Sequence, residues 1–93
     1  MYQDICAKAL LTYGPESQTR MLFEEMAELQ KELCKEARGI GDVDAIAEEI
    51  ADVYIMLQQM VMLHKCEVAV VRWMDYKIDR LGKKMKEEAA HGK

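Results

Sequence analysis

The 93 residues, 51% hydrophobic and 32% charged, make one domain, because two cores of half that length would each need outside support. One proline and five glycines are too few turn residues for a sandwich or barrel of short strands. A net charge of −4 lacks the basic footprint of a nucleic-acid binder.

In chain order, Ile5, Ala9 and Thr12 share a face with Cys6, Leu10 and Tyr13 beside them, which predicts a helix from Tyr2 to Tyr13. Asp4 and Lys8 interrupt any apolar leader there. Gly14-Pro15 ends this helix. Pro15 suits the first turn of the next one, with Glu16 near its positive end. The second helix is predicted to reach about Arg38 with Leu22, Met26, Leu29 and Leu33 as its apolar stripe. Gly39 then stands where a C-cap glycine belongs.

Asp42 or Asp44 is the expected N-cap of a third helix. Its main stripe is Ile46, Ile50, Val53, Leu57 and Met60, while Tyr54, Ile55, Val61 and Met62 make the other faces apolar too. A helix apolar all round is buried on all sides, and a chain this short cannot surround one alone, so a second subunit is expected. The longest uncharged run, Val53 to His64, is twelve residues, short of the ~20 a membrane span needs. His64 reads as a capping or partly buried side chain.

After a turn near Lys65-Cys66, Val71, Met74, Ile78, Leu81 and Met85 recur at spacings of three and four, predicting a fourth helix. Residues 86–93 read as a fraying tail, leaving 1–85 as the helical domain. The expected fold is all-α, a four-helix, bundle-like unit completed by oligomerisation. Cys6, Cys34 and Cys66 are odd in number and lack a CxxC pair, which argues against a disulfide scaffold or zinc knuckle. They read as small hydrophobes in a reduced, cytoplasmic protein.

Charge is unevenly distributed. Residues 16–52 hold eleven acids and four bases, whereas 65–93 hold five acids and eight bases. Ordinary solvation of helix faces explains such a pattern, and so does a cation site beside a polyanion site. Within the first block, acids interrupt apolar stripes. Glu25 stands between Leu22 and Met26 with Glu28 three residues on, and Glu49 stands between Ile46 and Ile50 with Asp52 three residues on. Spacing of three puts both members of a pair on one helix face, roughly 5–6 Å apart. Two such pairs on antiparallel neighbours bring four carboxylates together, which costs several kcal/mol per ion without a cation. Residues 39–64 contain no Lys or Arg. A hard divalent ion, Mg²⁺ or Mn²⁺, suits an all-oxygen set without histidine. The plainer alternative is a pair of solvated helix faces.

Glu24-Glu25-Met26-Ala27-Glu28 and, twenty residues further, Glu49-Ile50-Ala51-Asp52 make EExxE followed by ExxD. The pattern resembles the MazG-like branch of the all-α nucleoside triphosphate pyrophosphohydrolases. The resemblance implies hydrolysis of a nucleoside triphosphate to monophosphate and pyrophosphate, dependence on Mg²⁺, and assembly as a homodimer or homotetramer. It implies that Glu25, Glu28, Glu49 and Asp52 are metal ligands, and that Glu24 occupies the position suspected of activating the attacking water. The plainer alternative for Glu24 is an unpaired surface acid.

On the fourth helix, Lys77 and Arg80 are candidate phosphate contacts and Trp73 a candidate base-stacking residue, with helix-dipole pairing and core packing as the plainer readings. Many relatives carry an Asn where Leu81 stands. The phosphoribosyl-ATP-hydrolysing branch shares the acids but differs around Phe23 and Tyr54-Ile55. Outside the enzymes, the rival reading is a non-catalytic helical oligomerisation or adaptor module.

Overall fold

A computed structural model of the chain describes residues 2–91. Those residues form four α-helices: α1 (Gln3–Tyr13), α2 (Pro15–Ala37), α3 (Val43–His64) and α4 (Glu67–His91). The fold is all-α, and none of the four is long and apolar enough to cross a membrane.

The helix ends follow the local sequence. Gly14 takes φ 89°, closing α1 through its N–H to the Leu10 carbonyl, and hands over to Pro15 in the first turn of α2. At the end of α2, Gly39 takes φ 79°, while its N–H and that of Ile40 reach back to the Glu36 and Lys35 carbonyls. Those paired bonds with a left-handed residue between them are a Schellman ending. Asp42 caps α3, its side chain accepting from the Asp44 N–H at 2.9 Å. The end of α3 repeats the Schellman pattern with Lys65 at φ 50° and Cys66 N–H bonded to the Val61 carbonyl.

The long helices α2 and α3 pack most extensively on each other, and α1 packs on both. Their register is antiparallel: Thr19 Oγ1 meets Met60 Sδ at 3.6 Å, and Glu25 meets Asp52. Cys6, Leu22 and Met56 are buried between these helices, and so are the amides of Gln18 and Gln59.

Two expectations need correction. The buried side of the third helix is rotated from the expected stripe. Ile46, Val53, Met56 and Met60 face inward, while Ile50 and Leu57 are exposed. An outward row of Val43, Ala47, Ile50, Tyr54 and Leu57 repeats at spacings of four and three, with the half-buried Val61 next in register. The second correction is at the C-terminus. There α4 continues to His91, so 86–91 of the expected tail are helical; residues 1, 92 and 93 lie outside the described residues.

The fourth helix stands apart. Among the described residues it packs on α3 alone and buries none of its own. The radius of gyration is 17.1 Å, against about 12 Å for a compact chain of this length.

Candidate metal centre

Antiparallel packing of α2 on α3 brings acids from both helices into one place. One carboxylate oxygen each from Glu25, Glu49 and Asp52 lies within 4.8 Å of the others, and all three residues are half-buried. The helical spacing of three between Glu49 and Asp52 puts both on the α3 face turned to α2, and the register sets Glu25 opposite Asp52.

Electrostatically the cluster is one-sided. Removal from water raises the Glu25 carboxyl above its ordinary 4.5; the charge of Asp52, a hydrogen bond to Asp52, and the charges of Glu49 and Glu28 push it further. Glu49 is raised likewise, first by desolvation, then by Asp52, Glu28 and Glu48. No base is among the charges acting on either group. Glu49 Oε1 is shut away from solvent with no hydrogen-bond partner among the described residues. Three acids in such a space either hold protons or hold a cation.

The donor set fits Mg²⁺ or Mn²⁺. Both take hard oxygen ligands and tolerate retained water in the remaining positions. Glu25, Glu49 and Asp52 supply three carboxylates.

The fourth expected ligand, Glu28, is exposed and its oxygens lie outside the group of three. Its charge still acts on Glu25 and Glu49. Repulsion from three neighbouring acids favours a rotamer that leaves this carboxylate in water. Glu24 is exposed beside Glu25, about 100° around the helix. Lys35 pairs with Glu32 at 3.3 Å, as ordinary helix spacing dictates.

The α4 residues form a separate group. Lys77 Nζ sits 5.7 Å from the centre of the Trp73 ring, a cation–π contact. Trp73 meets Tyr76 edge-on at 5.8 Å. Trp73, Lys77 and Arg80 are exposed, and the single chain does not bring them to the acids.

The structure adds two polar residues that the sequence pattern passed over. Gln18 and Gln59 are 6% and 3% exposed, and Gln59 Oε1 has no partner among the described residues. Gln18 lies seven residues before Glu25, and Gln59 seven after Asp52, so the register places them opposite each other two turns from the acids. The sequence signal for Gln59 was an amide inside a mainly apolar run, whereas Gln18, between Ser17 and Thr19, gave none.

Comparison of the chain with protein-family models, with curated proteins and with solved structures found no match in any of the three.

Proposed function

We propose that the chain is a metal-dependent nucleotide pyrophosphohydrolase working as a homo-oligomer, which converts a nucleoside triphosphate to monophosphate and pyrophosphate. The observation that carries the reading is the convergence of Glu25, Glu49 and Asp52 within 4.8 Å, with no base acting on the raised pair. The EExxE and ExxD spacing supplies the choice of substrate class.

In this reading Glu25, Glu49 and Asp52 hold Mg²⁺ or Mn²⁺, with Glu28 at the margin of the site. The bound ion would offset negative charge on the phosphate oxygens as the α–β anhydride opens. In the same reading Glu24, exposed and adjacent to Glu25 in the sequence, would accept a proton from the attacking water. The support comes from the acids alone. Lys77, Arg80 and Trp73 stay as expectations for the phosphates and base, without a contact in the single chain to support them.

A panel of ribo- and deoxyribonucleoside triphosphates, assayed for pyrophosphate and orthophosphate, tests the reading. Pyrophosphate release with Mg²⁺, lost in Glu49→Gln, is the expected result. Orthophosphate alone would overturn α–β cleavage. Glu24→Gln is expected to slow turnover about 100-fold or more while keeping the metal response.

A second reading, a non-catalytic oligomerisation module, draws on the open apolar faces of α3 and α4. Such a module would show no Mg²⁺ response.

A further inference from the structure

Two apolar rows among the described residues face solvent. On α3, Val43, Ile50, Tyr54 and Leu57 are 77, 38, 67 and 43% exposed; on α4, Val71, Met74, Ile78, Leu81 and Met85 are all about half exposed or more. Both rows alternate spacings of three and four, the pattern of helices that pack side by side. They also match in reach. The exposed α3 row, Val43 to Leu57, and the α4 row, Val71 to Met85, each span about 21 Å at 1.5 Å per residue.

The whole surface agrees. A compact monomer of 10.7 kDa exposes about 5,500 Å², whereas this chain exposes 7791 Å². The excess, roughly 2,300 Å², is in the range each partner contributes to a large, obligate interface. Most of a helix's stability in a protein comes from packing its apolar face, yet α4 fully buries none of its own residues.

Charge selects which rows meet. The third helix carries no Lys or Arg; of its four acids Glu49 and Asp52 face α2, which leaves Asp44 and Glu48 exposed. From Arg72 to Lys86, α4 carries six bases and two acids. Pairing α3 with α3, or α4 with α4, sets like charge beside like. Pairing α3 with α4 sets opposite charge together.

We propose that two copies of this chain dock isologously, the outward row of α3 in each against the α4 row of the other, so that the two α3–α4 hairpins close one four-helix bundle between subunits. The bundle-like unit expected to be completed by oligomerisation is then shared by two chains. Glu49 and Asp52 point from α3 towards α2, away from this row, so the acids remain open in the dimer. The proposal rests on the oligomeric part of the reading above and not on the metal chemistry.

Sedimentation equilibrium with a charge-swap pair tests it. Wild type is expected at twice the chain mass or a multiple of that. Leu57→Glu on α3 and Leu81→Lys on α4 should each reduce the mass to one chain. An equimolar mixture should restore a heterodimer. The carboxylate introduced at position 57 of one variant then meets the ammonium introduced at position 81 of the other, while the second α3–α4 contact is native. Restoration also shows that both variants remain able to fold. A monomeric wild type would overturn this proposal and the oligomeric reading together. An oligomer that survives both single substitutions would overturn the proposed surface alone, and failure of the mixture to reassociate would overturn the α3–α4 pairing.

Discussion

One carboxylate oxygen of Asp52 on α3 lies within 4.8 Å of one of Glu25 on α2, acid beside acid across the helix pair. Desolvation and the neighbouring acids raise Glu25, so it takes up a proton more readily than a free carboxyl. In the proposed reading the same place would hold protons at low pH and a divalent ion at higher pH.

The first prediction is an inverted acid response. Glu25 and Glu49 keep protons in the folded chain that the unfolded chain, with ordinary values near 4.5, has already released. Stability without metal must then fall as pH rises from about 4.5 through the raised values, with the full penalty present above them. Urea unfolding with a chelator, at a series of pH values, should show a midpoint that rises on mild acidification. Glu25→Gln should flatten that response. A wild-type midpoint that falls on mild acidification would show that Glu25 and Glu49 are not raised in the folded chain.

Metal should reverse the sign. Mg²⁺ or Mn²⁺ would bind the ionised acids, so its stabilising effect should be greatest above the raised values and fade as pH falls through them. At a hundredfold excess over the dissociation constant the gain is ~2.7 kcal/mol. Thermal melts with and without Mn²⁺ should show it in wild type and in Glu28→Gln, whose oxygens lie outside the cluster. Glu49→Gln and Asp52→Asn should lose it. An equal loss in Glu28→Gln would make that residue a ligand after all.

Helix boundaries were legible because each rests on local chemistry: Gly14-Pro15, Gly39 and Asp42 act within a few residues of themselves. The acids were legible for a similar reason, since Glu49 and Asp52 must share a helix face whatever surrounds it. The orientation of α3 was not. A helix apolar on every side has no periodic signal to say which side meets α2, and the inferred stripe placed Ile50 and Leu57 inside when they face outward. Nor was the position of α4, because its apolar row says that something covers it without saying whether that is the same chain. Glu28 depended on a rotamer, which spacing does not fix.

Two loop substitutions should move stability in opposite directions. Lys65 adopts φ 50°, a conformation costing a side-chain-bearing residue about 1–2 kcal/mol that glycine avoids. Lys65→Gly should raise the unfolding free energy by about 1 kcal/mol once glycine's added chain entropy is subtracted. Gly41, between the two acid motifs, has no such room. A Cβ there would lie 2.5 Å from the Glu36 Cα, so the loop must shift. Gly41→Ala should cost about 1–3 kcal/mol and weaken the Mn²⁺ response as the register of α3 moves. A neutral Gly41→Ala would mean that the loop does not hold the two motifs in place.

Gln59 tests whether the buried amide layer is structural or serves the site. Its side-chain oxygen is buried without a partner among the described residues, and its nitrogen meets Met56 Sδ at 3.9 Å. A buried acceptor left unsatisfied costs about 1–3 kcal/mol, which an apolar side chain of similar length avoids. Gln59→Met should therefore raise the urea midpoint without changing the slope of unfolding. Gln18, opposite in the register, should then become the less satisfied amide, so adding Gln18→Met should raise stability again by more than it does alone. If Gln59→Met instead lowers stability, the oxygen is held by a buried water that joins the two helices. The polar layer would then be fixing the register that brings Glu25 to Asp52.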